Sequence, residues 1–223
     1  MDSIAKILGD KANGLTTSGN RRVQYLPYDM DIALQVIERI GKGINPLFTL
    51  SGSTKEVYIK LIQFFHADPD FPGDLNKGFI LMGPTGTGKS LAMEIMSKYR
   101  TIDDIKFIVS NRLYRMNYDI VDVNRIVNYY MDNSFDGLHI YCNRFLICLD
   151  DIGTEIDRVK HYGNTLDVVS YILAERYAKR LMTLATTNYP VKVLEDKYDD
   201  RVISRMYALF NFIEMKGKDY RKH

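Results

Sequence analysis

The sequence predicts an α/β fold in which a mostly parallel sheet is flanked by helices on both faces, and three observations predict it. From residue 79 onward, short apolar runs of strand character alternate with segments of helical periodicity, the pattern of parallel strands joined by helical crossovers. One run, Phe79-Ile80-Leu81-Met82, leads directly into Gly83-Pro84-Thr85-Gly86-Thr87-Gly88-Lys89-Ser90 and then into a helix with Leu91, Ala92, Ile95 and Met96 on one face. Another, Arg144-Phe145-Leu146-Ile147-Cys148-Leu149, ends in the carboxylates Asp150 and Asp151.

Taken in order, residues 1–27 mix Ser18, Gly14, Gly19, Asn20 and Arg21-Arg22 without sustained periodicity and read as a flexible N-terminal arm. Residues 28–76 read as a short helical lead-in. Within it, 31–40 sets Ile32, Leu34, Val36, Ile37 and Ile40 at helical spacing with Gly41 and Gly43 as stop signals. The stretch 54–66 repeats that spacing with Val57, Leu61, Ile62 and Phe65 behind a cap at Ser53 or Thr54. Residues 77–223 form the core: strand 79–82, helix 89–99, strand 106–110, helix near 121–132, strand 144–149, helix 165–180, strand 182–186, short helices near 191–198 and 200–207, and a last strand 210–215.

A chain of 223 residues, 46% of them apolar, can bury one principal core. Its net charge of +2 does not point to nucleic acid or membrane through bulk electrostatics, so partners must be argued from sites. Cys142 and Cys148 match neither a zinc knuckle nor a redox pair and read as small buried apolar residues. No apolar run reaches the length of a membrane span, and the first ten residues carry charges through their apolar stretch. The expectation is a cytoplasmic protein with no membrane partner.

The octapeptide fits GxxxxGK[ST], the phosphate-gripping P-loop of nucleoside-triphosphate-binding proteins. Gly86 and Gly88 permit backbone conformations in which several N–H groups converge on phosphate oxygens, and the following helix adds its positive end. Lys89 supplies a charge between the outer phosphates; the Ser90 hydroxyl is placed to ligate magnesium, a hard cation that prefers oxygen. Asp150 is the second magnesium candidate, at a strand end where the phosphates lie. Asp151 is the first choice for the group that orients or deprotonates the attacking water, with Glu155 as the alternative on its longer reach.

Together these residues resemble the DnaC/IstB-like group of AAA+ ATPases over about residues 77–221. The resemblance rests on five ordered motifs: Gly83 to Ser90; Leu149-Asp150-Asp151-Ile152-Gly153; Ala185-Thr186-Thr187-Asn188; Arg201-Val202-Ile203-Ser204-Arg205-Met206; and Gly217-Lys218-Asp219-Tyr220-Arg221. It implies a P-loop NTPase fold with an AAA+ core that binds ATP with Mg2+ and hydrolyses it. Asn188 would be the sensor near the outer phosphate. Arg205 would be the arginine finger reaching a neighbouring subunit's site, with Arg201 as its companion, and this implies a homo-oligomeric ring or helical filament. Read without the resemblance, Arg201 and Arg205 lie on one helix face and can instead pair with Glu195, Asp199 or Asp200. Arg221 matches the second sensor, within a tail that also reads as simply basic.

In that group the task is loading a replicative helicase or, alternatively, supporting a transposase. Two departures bear on it: no cysteine cluster precedes the core, and the acidic strand ends in Asp-Asp where the group often has Asp-Glu. The shorter base leaves open a third reading, a nucleotide-gated switch with little hydrolysis. Finally, Asn111-Arg112-Leu113-Tyr114-Arg115-Met116-Asn117-Tyr118 interleaves bases with aromatics, a composition suited to single-stranded DNA and equally to packing in a chain with 16 tyrosines.

Overall fold

The computed structural model describes residues 21–22, 26–102, 106–109, 112–156, 159–161 and 164–217. The lead-in consists of α1 (Met30–Ile44) and α2 (Gly52–Phe65). Asp29 caps α1 by accepting the Ile32 amide at 2.9 Å, which satisfies one of the free N–H groups of a helix start. The helix runs past Gly41, where the sequence signals a stop. Gly41 is on its buried face, and a Cβ there would stand 2.2 Å from the Phe48 ring. This glycine admits an aromatic ring; the chain leaves the helix only at Asn45, whose side chain accepts the Leu47 amide in a tight turn.

The core elements are β2 (Gly78–Met82), α3 (Lys89–Ile102), β5 (Ile120–Asp122), α4 (Val123–Asn143), β6 (Leu146–Asp150), α5 (Val168–Ala178), β9 (Met182–Thr187), α6 (Val191–Lys197), α7 (Asp200–Leu209) and β10 (Phe210–Glu214). Five strands pair in the order β10-β2-β9-β6-β5, and every pairing is parallel. Strands covered on both faces must be apolar throughout, which is why Gly78–Met82, Leu146–Asp150 and Met182–Thr187 are buried almost without a break.

The expected core strand at 106–110 is not part of this sheet. Residues Lys106–Val109 form β3, which pairs antiparallel with β1 (Arg21–Arg22) and β4 (Arg112–Arg115) in a separate sheet. Its place at the edge of the central sheet is taken by β5, which is three residues long and ends at Asp122, the cap of α4. A strand this short, fused to a helix start, is overprinted by the helix's periodicity. Helix α4 also runs further than the sequence predicts, across a non-helical break at Ser134 (φ 56°, ψ −152°). Residues 165 and 166, the start of the expected helix, belong instead to β8 (Asn164–Leu166), which pairs antiparallel with β7 (Val159–His161).

Alternation along β2 divides the core. Phe79 and Leu81 face a cluster made with α1, α2 and α3; Ile80 faces one made with α4, α5, α6 and α7. The lead-in helices thus cover one face of the sheet. On the other, Arg176 of α5 is fully buried and donates to the carbonyls of Tyr141, Arg144 and Met182 at 2.7–2.9 Å and to the Thr183 hydroxyl at 2.8 Å. It gathers the end of α4 and the start of β9, the cation sitting on the negative end of a helix. Cys142 and Cys148 are buried free thiols. Among the described residues no helix is long and apolar enough to cross a membrane.

Candidate functional site

Because β6, β9 and β2 are neighbours in one parallel sheet, the segments leaving their carboxyl ends meet. These segments carry Asp150 and Asp151, Asn188, and the loop from Gly83 to Ser90. The Lys89 ammonium is buried and donates to the carbonyls of Gly83 (2.7 Å) and Pro84 (2.9 Å) and to Asn188 Oδ1 (2.7 Å). The Asn188 amide in turn donates to Asp151 Oδ1 at 2.9 Å. One side chain therefore bridges the loop lysine and the first-choice base.

Asp150 receives the Ser90 hydroxyl at 3.0 Å and the Thr186 hydroxyl at 2.6 Å, both on Oδ1. The same Thr186 oxygen accepts the Asp151 amide at 2.9 Å, so one β9 side chain positions both acidic residues. Asp151 takes a left-handed conformation (φ 62°), uncommon outside glycine and tolerated by Asp, which turns the chain at the strand's end. Burial, and then the neighbouring Asp150 carboxylate, push the Asp151 carboxyl above its ordinary range. Ser90 and Asp150 offer two oxygens side by side, a donor set that fits magnesium completing its shell with phosphate and water.

Glu155 is placed differently. Its carboxylate is buried, accepting the Gly153 amide at 2.8 Å on one oxygen and the Tyr198 hydroxyl on the other. It does not line the cavity described next, whereas Asp151 does.

A cavity of about 640 Å³ opens over the loop, lined on one side by Thr85, Gly86, Thr87, Gly88, Lys89, Ser90 and Leu91 with Asp151 and Asn188. Gly83 and Pro84 do not line it; their carbonyls accept the Lys89 ammonium. The opposite wall was not legible in the sequence: it is Asn45, Leu47, Phe48, Thr49, Thr54 and Tyr58 of the lead-in, with Met215 after β10. Phe48 meets Tyr58 edge-on, with ring centroids 5.7 Å apart, in the niche left by Gly41. The Asn45-Pro46 turn between two helices is the only local signal of this wall.

Arg201 and Arg205 sit on α7 and do not line the cavity. Neither makes a hydrogen bond or ion pair among the described residues. Two of the acids offered as partners are engaged elsewhere: Asp199 caps α7 through the Val202 amide (2.9 Å), and Glu195 accepts the Tyr207 hydroxyl (3.0 Å). Arg221 lies outside the described residues, as do the side chains of Arg112 to Arg115. Tyr118 is buried and donates to the Met93 carbonyl at 2.7 Å, a packing role.

No family model and no curated protein matches the chain. Solved structures do. DnaI is similar at 20% identity and a TM-score of 0.56, over 78% of this chain and 87% of that one. The DnaC helicase loader is similar at 22% identity and 0.55, over 78% and 96%. The replication initiator DnaA, bound to AMPPCP and single-stranded DNA, is similar at 12% and 0.50, over 76% and 49%. At these identities the likeness is one of fold: the chain shares with DnaI and the DnaC helicase loader the α/β fold, a parallel sheet flanked by helices, that its sequence predicts.

Proposed function

We propose that the chain is an ATPase of the helicase-loader type, working as a homo-oligomer whose nucleotide sites are completed between subunits. The observation that carries the reading is the unbroken chain from Lys89 through the Asn188 amide to Asp151, beside the Ser90–Asp150 pair.

The triphosphate lies over the loop amides, and Lys89 exchanges its carbonyl partners for the outer phosphate oxygens. The base fits against Leu47, which is 76% exposed at the cavity, and Phe48. Ser90 and Asp150 would hold magnesium, which would supply neutralising charge to the phosphates. Asp151 accepts a proton from the attacking water, its raised affinity for protons suiting it to that task, while Asn188 fixes its carboxylate. Arg205 leaves its own chain to stabilise charge on the transferring phosphoryl group of the next subunit, as its always-charged planar fork allows. The state change of the assembly then acts on a replicative helicase at single-stranded DNA; the DnaC and DnaA structures of the same fold support this choice of partners.

Phosphate release tests the reading. Wild-type protein with magnesium should turn over ATP faster when single-stranded DNA and a replicative helicase are added, and Lys89→Ala should lose both ATP binding and turnover. An assembled wild-type protein that binds ATP without turnover would make it a nucleotide-gated switch instead.

A further inference from the structure

The turn after β6 and the corner between α6 and α7 are joined at one residue. The Glu155 carboxylate accepts the Tyr198 hydroxyl, and the Glu155 carbonyl accepts the Lys197 ammonium at 3.0 Å. Tyr198 is buried at 5% exposure and follows α6 directly; Asp199, the next residue, caps α7. The turn itself is clamped from the other side. Ile152 donates its amide to the Thr186 carbonyl (2.9 Å) and accepts the Thr187 hydroxyl (2.7 Å), and the Thr154 hydroxyl closes on the Asp151 carbonyl (2.8 Å). Gly153, at φ 98°, leaves no room for a side chain: a Cβ would meet the Tyr189 ring at 2.8 Å and Leu194 of α6 at 3.0 Å.

We infer that Glu155 and Tyr198 are a positioning pair that transmits the placement of the Asp151 turn to α7, and so sets where Arg201 and Arg205 stand on the surface offered to the next subunit. The inference rests on the proposed role of Arg205 in a neighbouring site. A buried carboxylate with both oxygens occupied is costly to place and gains its keep only through those partners; here they are one group within the turn and one on the helix corner. The turn is held by β9 at several points, so loss of the Tyr198 hydroxyl releases the α7 side. A finger displaced by about 1 Å loses roughly 100-fold in rate, whereas binding of ATP in the same chain is untouched.

Tyr198→Phe removes the hydroxyl and keeps the ring; Glu155→Gln keeps an acceptor for Tyr198 and serves as the conservative variant. The expected result for Tyr198→Phe is kcat lowered roughly 10- to 100-fold at unchanged KM and unchanged ATP affinity. Glu155→Gln should retain more of the turnover. Subunit mixing locates the defect. Tyr198→Phe subunits should regain hydrolysis when mixed with Asp151→Ala subunits and not when mixed with Arg205→Ala subunits. Wild-type turnover by Tyr198→Phe, or loss of turnover in parallel with ATP affinity and melting temperature, overturns the inference. If Arg205→Ala alone hydrolyses ATP normally, the fault lies in the finger assignment and the pair has no α7 arginine to position.

Discussion

Two arginines of this chain stand in opposite conditions. Arg176 is fully buried on α5 and spends its guanidinium on the carbonyls of Tyr141, Arg144 and Met182 and the hydroxyl of Thr183. Arg205 lies two helices further on, half-buried on α7, its side chain with no hydrogen bond or ion pair among the described residues. The same contrast separates the regions around them. At the ends of β2, β6 and β9, polar groups are paired within the chain; along α7, Asp199 and Glu195 are committed elsewhere and neither arginine side chain has a polar partner among the described residues. A cation whose partners are all inside the chain belongs to folding, and one whose neighbours ignore it is available to another molecule.

The largest effect should come from emptying the first position. Arg176→Met removes the buried donor shared by the carbonyls of Tyr141, Arg144 and Met182 and the Thr183 hydroxyl, and should lower unfolding free energy by about 3–5 kcal/mol, seen as a fall in denaturant midpoint. A small change would mean that the carbonyls find other donors and that the contrast is weaker than drawn.

An intermediate effect should appear in the wall facing the phosphate loop. Gly41→Ala places a Cβ on the Phe48 ring and should weaken ATP binding by roughly tenfold by displacing Phe48 from the cavity wall, although residue 41 itself does not line the cavity and alanine has the higher helix propensity. Titration calorimetry with ATP checks it. Unchanged affinity would remove the lead-in from the site.

The smallest effect on stability belongs to Arg205→Ala, which should shift the denaturant midpoint by less than about 0.5 kcal/mol equivalent, as expected for a side chain without partners in its own chain. A large loss would show that Arg205 has a partner within the fold.

The same distinction explains what the sequence discloses. Motifs held by adjacent parallel strands are legible because each has its own residue types: Gly86, Gly88, Lys89 and Ser90 in the loop after β2, Asp150 and Asp151 at a strand end, Asn188 after β9. The apolar runs of β2, β6 and β9 are legible because both their faces are covered. What depends on distant packing is not. Gly41 reads as a stop until the Phe48 ring is placed against it. The three residues of β5 vanish into the start of α4, and the strand at 106–109 is assigned to the wrong sheet for want of any local sign of its antiparallel partners. Glu155 reads as a possible base on its longer reach; only Tyr198, 43 residues later, reveals why it is buried. The cavity wall at residues 45–49 carries little more than an Asn-Pro turn, since its role exists only once α1 and α2 lie on the sheet.

If, as proposed, the site at Lys89, Asp150 and Asp151 is half a site, mixtures of Arg205→Ala and Asp151→Ala subunits, each inactive alone, should recover ATP hydrolysis at the interfaces where an intact Asp151 meets an intact Arg205 from the next subunit. Mixed assemblies that form and remain inactive would show that each site is complete within its own chain.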